Sequence, residues 1–156
     1  MPIHDLLMTV EEILSVEFYY HVTLSRNLPA ILRDGLDPQY KDGENPQTHF
    51  YGTRHKIHAA IELKCPYGNE EVAIFKISSR ILSEKQCAID DEDTETMLQC
   101  RQANATRSQV VQNGGAIVCY NLIEPIHIEY RGNFQSTLEK KLAFMRGELD
   151  ELRQFY

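Results

Sequence analysis

Closely spaced cysteines are absent from this sequence. Its four cysteines are scattered along 156 residues and form no C-x-x-C pair: Cys65, Cys87, Cys100 and Cys119. Zinc sites usually bring cysteines in such pairs, and free buried thiols in a reducing compartment are the usual state of isolated cysteines. The acidic run at 90–93 also lacks the alternating Asp-x-Asp-x-Asp-Gly spacing of a calcium loop. We therefore predict no metal site.

Long apolar runs and a basic amino terminus are missing as well. No run approaches the roughly 20 apolar residues that a membrane-spanning helix needs. The first five residues, MPIHD, contain no positively charged n-region, so no signal peptide is visible. We therefore expect no membrane partner and a cytoplasmic location.

Basic residues are fewer than acidic residues in this sequence. Lys and Arg number 16 against 23 Asp and Glu, which gives a net charge of −7 at pH 7. This balance argues against broad, non-specific binding to nucleic acid and leaves only a local basic patch open. A hydrophobic content of 42% and a charged content of 25% are ordinary for a soluble globule. We predict one domain over residues 1–156.

The strongest local pattern lies at residues 18–36. Residues 18–23, FYYHVT, are rich in aromatic and β-branched side chains, which favour a half-buried strand. In the helix that follows, Ser25 or Asn27 can supply the cap, and Pro29 fits the first turn. Gly35 then ends that helix in a left-handed conformation.

His21 is therefore predicted near a strand end and beside a helix start. A rigid scaffold and nearby backbone N–H groups make this a common place to hold a ligand. On its own, such a residue is more often a core histidine that bonds a backbone carbonyl.

The rest of the pattern predicts an α+β fold. We expect helices over 4–15, 54–64, 94–103 and 136–155, and strands over 49–53, 71–82, 115–123 and 126–130. Two polar stretches, 37–48 and 86–94, are predicted loops, and the first is long enough for a binding or lid role. The later strands follow one another closely, which indicates α+β rather than alternating βαβ units.

The sequence HFYGTR forms a second candidate group. Strand alternation puts Tyr51 and Thr53 on one face, and Phe50 and Gly52 on the other. Gly52 would let a flat ligand approach the backbone closely. Arg54 follows at the predicted helix start. An ordinary half-buried tyrosine and a solvated arginine would account for Tyr51 and Arg54 equally well.

These two groups resemble the opening motifs of the ADP-ribosyltransferase superfamily. The matching residues are Tyr20-His21-Val22-Thr23, Asn27-Leu28-Pro29, Ile31 and Gly35-Leu36. The resemblance is closest to the DNA-targeting ADP-ribosyltransferase toxins, and looser to the RNA 2′-phosphotransferases. It implies two small facing sheets, antiparallel or mixed, with flanking helices around a cleft that binds NAD as a co-substrate.

The same resemblance implies roles for single residues. His21 would bind the nicotinamide-side ribose of NAD, with Thr23 and Asn27 beside it. The ring of Tyr51 would stack on nicotinamide, with Thr53 next to it, and Arg54 would serve the chemistry. His21, Tyr51 and Arg54 are therefore candidate catalytic residues.

The third motif departs from the family pattern. Residues 108–128 resemble the last catalytic region, in which a Glu or Gln precedes a strand and a Pro with an aliphatic residue follows it. Gln112 occupies the place of the family's catalytic glutamate, with Gln109 as the second choice. A carboxylate stabilises the oxocarbenium-like transition state by its charge. Glutamine can accept the same hydrogen bond but brings no charge.

The resemblance implies transfer of ADP-ribose from NAD to a macromolecule, with loss of nicotinamide. The acceptor is DNA, RNA or protein, and a toxin or effector delivered into a target-cell cytoplasm fits the family. Two alternatives stay open. One is an NAD-dependent RNA 2′-phosphotransferase, and the other is a binding module that keeps the fold without turnover, as Gln112 would allow.

Overall fold

The computed structural model describes residues 7–38, 48–52, 57, 60–61, 64–65, 69–90, 106–112, 115–148 and 150–156. They form a mixed α+β fold, in which short helices flank one open antiparallel sheet. The predicted α+β class is therefore confirmed. The division into two facing sheets around an NAD cleft stays a prediction.

Six strands build the sheet: β1 (Phe18–Leu24), β2 (Thr48–Tyr51), β3 (Glu71–Ser78), β4 (Cys87–Ile89), β5 (Ala116–Cys119) and β6 (Glu129–Gln135). Their order is β4-β5-β2-β1-β3-β6, and all neighbours are antiparallel. The strand with the aromatic and β-branched sequence, β1, thus lies inside the sheet, where such side chains pack best. The three-residue β4 lies at one edge.

The sheet is joined unevenly on the two sides of β1. On one side, β1 pairs with β3 at seven successive positions along its whole length. On the other side, the described residues of β1 and β2 are in register at one position, Tyr20 opposite Tyr51. The sheet therefore consists of two three-stranded halves, β4-β5-β2 and β1-β3-β6. We call the junction between β1 and β2 the seam.

Five short helices are described: α1 (Val10–Ile13), α2 (Leu28–Asp34), α3 (Ser79–Ser83), α4 (Arg107–Gln112) and α5 (Leu138–Met145). Turns of 3-10 helix occur at Ser25–Asn27, Pro125–His127 and Glu151–Phe155. Residues 57, 60, 61 and 64 are also helical, within the predicted helix over 54–64.

Strand alternation divides the core into two clusters, one on each face of the sheet. The first core contains Tyr19, Phe50 and Phe75, together with one buried residue or more from each of α1, α2, α3 and α4. The second core contains Tyr20 on β1, the helical residues Ile57, Ala60 and Ile61, and Leu152 and Phe155 of the last turn of the chain. A ligand site on β1 must therefore belong to one face or the other.

Helix α2 follows its sequence signals closely. Pro29 lies in its first turn, and Gly35 ends it with a φ of +84°. A Cβ at Gly35 would lie 2.1 Å from the backbone oxygen of Ile123, so glycine is required there for space as well as conformation. Asn27 occupies the N-cap position but, within the described part of the chain, makes no side-chain capping bond. The predicted side-chain cap is therefore wrong.

Two predicted elements are displaced by proline and glycine. The strand expected over 126–130 begins at Glu129, because Pro125 opens a 3-10 turn. The helix expected over 136–155 is interrupted, because Gly147 takes a φ of +72° after α5. A separate 3-10 turn then forms at Glu151–Phe155.

Other short elements differ from the prediction as well. Residues 87–89 form β4 instead of a loop, and α4 at 107–112 was not expected. The strand predicted over 71–82 ends at Ser78, whose side chain caps helix α3 by accepting from the Arg80 N–H. Elements of three to six residues are too short for periodicity to distinguish from loops.

Several predictions fall outside the described residues. These are the helix over 94–103, residues 4–6 of the first helix, most of the loop over 37–48, the acidic residues 91–93, and the candidate residues Thr53 and Arg54. Among the residues that are described, no helix has the length and apolar character needed to cross a membrane.

Candidate functional site

His21 is half-buried in the middle of β1, on the face of the first core. Its Nδ1 lies 2.8 Å from the backbone oxygen of His49 on β2. A carbonyl oxygen only accepts, so Nδ1 carries the proton, and in the neutral ring Nε2 is then the hydrogen-bond acceptor. This bond crosses the seam. His21 thus has the structural role of a histidine that bonds a backbone carbonyl. The same bond fixes its tautomer, so that Nε2 has the acceptor form that could bind a hydroxyl.

An aromatic row runs across four strands at the level of His21. The His21 ring lies 5.7 Å from that of Phe50 on β2 and 6.4 Å from that of Phe75 on β3. Phe75 in turn lies 5.6 Å from Tyr130 on β6. Phe50 and Phe75 are fully buried, whereas Tyr130 is 38% exposed. The row therefore has a buried centre and an accessible end, with the polar edge of His21 among its rings.

Thr23 and Asn27 continue the same face toward the end of β1. Thr23 lies two residues after His21, so strand alternation turns both side chains to one side. The Asn27 side-chain amide donates from Nδ2 to Thr23 Oγ1 at 2.9 Å. This bond takes the place of the helix cap predicted for Asn27 and fixes the orientation of its amide. Three of the predicted NAD-binding residues are thus brought together.

Tyr51 is placed apart from this group. It lies opposite Tyr20 and packs against the second core, on the other face of the sheet. Alternation on β2 instead turns its neighbour Phe50 toward His21. The structure therefore brings Phe50, and not Tyr51, next to His21.

Gln112 ends helix α4 and is exposed. Its Nε2 lies 3.5 Å from the backbone oxygen of Ser15, in the turn before β1. A Cβ at Gly52 would lie 2.9 Å from the backbone oxygen of Val111 and 3.4 Å from the Tyr19 ring. Gly52 therefore permits the close approach of α4 to the end of β2, and Gln112 lies at the end of the sheet where β1 begins.

Gln109, the second choice for the glutamate position, has a clear structural role. Its side-chain oxygen accepts from the Thr106 backbone N–H at 2.8 Å, and its own N–H donates to Thr106 Oγ1 at 3.2 Å. These reciprocal bonds form a capping box at the start of α4. Gln112 therefore remains the better candidate for the third motif.

The remaining charged groups near the seam form no metal site. His49 Nε2 lies 3.5 Å from Asp90 Oδ2, and both side chains are partly exposed. Within the described ranges, no three His, Cys, Asp or Glu side chains come together as metal ligands. The polar chemistry of this face is thus that of hydrogen bonds.

The arrangement has the features of a site for a sugar with a flat ring. The Nε2 of His21 can accept from a ribose hydroxyl, and the Thr23–Asn27 pair adds polar groups along the same edge. At the accessible end of the aromatic row, the Tyr130 ring offers a surface on which a planar group can pack. Few, well-oriented polar groups next to apolar rings are typical of small-molecule sites.

No local sequence pattern predicted the aromatic row directly. Phe50 was assigned correctly to the face opposite Tyr51, but the face shared with His21 depends on the register between β1 and β2. Phe75 and Tyr130 lie on strands far away in sequence. Their juxtaposition follows from strand pairing, which one chain's periodicity does not encode.

No protein-family model matches this chain, and no curated protein matches it either. Its function must therefore be argued from its own residues.

Proposed function

We propose that this chain is an NAD-dependent ADP-ribosyltransferase that modifies a macromolecule and releases nicotinamide. One observation carries the proposal: His21, Thr23 and Asn27 lie on one face, with the His21 tautomer fixed by the His49 carbonyl. These are the residues through which the sequence resembles the ADP-ribosyltransferase superfamily. A binding histidine needs this kind of rigid support from neighbouring groups.

In the proposed reaction, the bond between nicotinamide and C1′ of its ribose breaks, and C1′ forms a bond to a nucleophile of the acceptor. The acceptor's proton is released, and nicotinamide leaves. His21 would hold a ribose hydroxyl through Nε2. Phe50, which lies next to His21 in place of Tyr51, is fully buried and supports the His21 ring from within the core.

Gln112 determines how fast such a reaction can run. Positive charge develops on the ribose as nicotinamide departs, and a carboxylate would stabilise it more than a neutral amide does. The amide of Gln112 favours either a slow transferase or, as a second candidate function, a module that binds NAD without turnover. The two candidates differ in nicotinamide release and agree in NAD binding.

NAD binding is tested by thermal unfolding. A ligand that binds only the folded state, at about 100 times its Kd, stabilises by about 2.7 kcal/mol, which in a chain of this size raises Tm by roughly 5–10 °C. We expect this rise in the wild type and in His127→Ala, which changes an exposed histidine in the 3-10 turn at Pro125–His127. We expect His21→Ala to lose it. Equal rises in all three proteins would show that His21 does not bind NAD.

Turnover and acceptor are tested with NAD labelled in its adenylate half, offered with DNA, with RNA and with protein. Label on one acceptor identifies the substrate class. Binding without nicotinamide release supports the binding module, whereas loss of a 2′-phosphate from RNA supports the phosphotransferase. Absence of both binding and labelling would contradict the proposed function.

A further inference from the structure

Two buried cysteines face each other across strands β4 and β5. Cys87 is in register with Cys119, and their side chains are 1% and 0% exposed. Both belong to the first core, so both side chains project from the same face of the sheet. Both thiols are free, and the proposed NAD site uses neither.

The surrounding backbone hydrogen bonds show whether Cys87 and Cys119 form a hydrogen-bonded or a non-hydrogen-bonded pair of the antiparallel ladder. The Tyr120 N–H donates to the Gln86 oxygen at 3.1 Å, one position before the cysteine pair. The Cys87 oxygen accepts from the Met8 N–H at 2.9 Å, on the outer side of β4. Hydrogen-bonded and non-hydrogen-bonded pairs alternate along an antiparallel ladder. Cys87 and Cys119 are therefore a non-hydrogen-bonded pair.

This pair type brings side chains closest together. Directly opposed Cα atoms in non-hydrogen-bonded pairs are about 4.5 Å apart, and a disulfide bridges Cα atoms about 4.4–6.8 Å apart. The Cβ atoms of such pairs are also closer than in hydrogen-bonded pairs. The Cα spacing of such a pair therefore lies within the range that a disulfide can bridge.

We propose that Cys87 and Cys119 form a reversible disulfide that fixes the edge strand β4 to β5, with a low-molecular-weight disulfide such as glutathione disulfide as the oxidant. The Cys119 thiolate attacks one sulfur of the oxidant and releases a glutathione thiolate. The Cys87 thiolate then attacks the Cys119 sulfur and releases the second. Two protein thiols are oxidised, glutathione disulfide is reduced to two thiols, and these take up both protons.

The surroundings of the pair favour this order of attack. The Cys87 thiol beside it lowers the pKa of Cys119, and the same contact, with burial, raises the pKa of Cys87. Since the thiolate is the nucleophile, Cys119 reacts first. Access comes from local opening of β4, because a three-residue edge strand is among the elements that open most easily.

Peptide mapping after refolding tests for the Cys87–Cys119 disulfide. Because the oxidant is present while the chain refolds, the result does not depend on how easily it reaches the buried thiols. The protein is unfolded in urea and refolded with an excess of glutathione disulfide, blocked with iodoacetamide and digested with trypsin. The Cys100→Ser variant is used, because Cys100 shares the tryptic peptide 86–101 with Cys87. The other two cysteines then lie in separate peptides, 65–76 and 108–131. We expect 86–101 linked to 108–131 as the main product.

Matched variants decide the outcome. Cys65→Ala should keep the link, and Cys87→Ala should abolish it. The linked protein should melt roughly 10 °C above its reduced form, because the bond closes a long loop in the unfolded chain. Glutathione adducts without the link, a main product that contains peptide 65–76, or a linked form with an unchanged Tm would overturn the proposal.

Discussion

Among the described residues, Tyr19 is the largest side chain that is completely buried, and its hydroxyl makes a specific contact there. The phenol donates to the Ile13 backbone oxygen at 2.8 Å, which ties α1 to the sheet. Burial also raises the pKa of Tyr19 well above its ordinary value of 10. The folded protein therefore retains this proton at a pH at which the unfolded chain has lost it.

This difference predicts a loss of stability in alkali. Above about pH 10 the unfolded state binds fewer protons than the folded state, so the free energy of unfolding falls by about 1.4 kcal/mol per pH unit. We expect Tyr19→Phe to be about 1 kcal/mol less stable at neutral pH, because the Ile13 oxygen loses its donor. The free energy of unfolding of Tyr19→Phe should fall less steeply with rising pH than that of the wild type, because the variant lacks this phenol. Urea unfolding from about pH 9 to about pH 11 measures both slopes, and equal slopes would contradict the prediction.

Gln112 is the residue at which this chain departs from the family pattern. Gln112→Glu is nearly isosteric, and the side chain is exposed, so the fold should persist. If the proposed reaction occurs, the added charge should raise the rate of nicotinamide release, by about tenfold for each 1.4 kcal/mol of transition-state stabilisation.

Gln109→Glu is the matched control for this change. It adds the same charge to the same helix, and a glutamate keeps the capping box with Thr106. Nicotinamide release is measured for both variants by chromatography. A similar rate change in both would mean that the net charge of α4, and not a group in the site, is responsible.

At the scale of elements, Gly35 joins α2 to a distant segment. Leu36 and Ile123 exchange two backbone hydrogen bonds, of 2.9 and 3.0 Å, directly after this glycine. We expect Gly35→Ala to cost about 2 kcal/mol or more, because both the positive φ and the Ile123 oxygen oppose a Cβ. Gly147→Ala should cost only about 1 kcal/mol, since φ is positive there but no atom of the described residues, its chain neighbours aside, lies within 4 Å of the added Cβ. Urea unfolding should separate the two; equal costs would rule out the clash.

The elements that the sequence predicted well are those with several agreeing signals. Strand β1 and helix α2 combine strand composition, a first-turn proline and a terminal glycine, and both formed where expected. The three-residue β4 carries no such combination. It becomes a strand because β5 pairs with it and Met8 covers its outer edge, and these contacts come from elsewhere in the chain.

The candidate site was predictable to the same extent. His21, Thr23 and Asn27 are close in sequence, so the local pattern sufficed to group them. The partner of His21 on β2 could not be predicted in this way. Alternation shows which residues of β2 share a face, but it does not show which of the two faces lies beside His21. That choice depends on the Tyr20–Tyr51 register, which turns Phe50 toward the site.

On the scale of the whole molecule, the seam is the feature that matters most. Among the described residues, the two halves of the sheet are in register at one position between β1 and β2, and the His21 side chain adds a bond at 2.8 Å. The first core spans both halves through Tyr19, Phe50 and Phe75. Within the described part of the chain, side-chain packing and the His21 imidazole thus add to the backbone pairing between β1 and β2.

This arrangement predicts that His21→Ala loosens β2 more than β3. The change removes the bond to the His49 oxygen and opens a space between Phe50 and Phe75, whereas β3 keeps its seven-position pairing with β1. Amide hydrogen exchange followed by mass spectrometry should show faster exchange in Thr48–Tyr51 and little change in Glu71–Ser78, since local opening reports local contacts.

His49→Ala is the matched control, because the acceptor in this bond is the backbone oxygen of His49 and survives the substitution. It also removes the contact between His49 and Asp90. We expect β2 in His49→Ala to exchange nearly as in the wild type. If both variants exchange faster to the same degree, the His21 side chain does not join the halves. The seam would then be held by the packing of the first core alone.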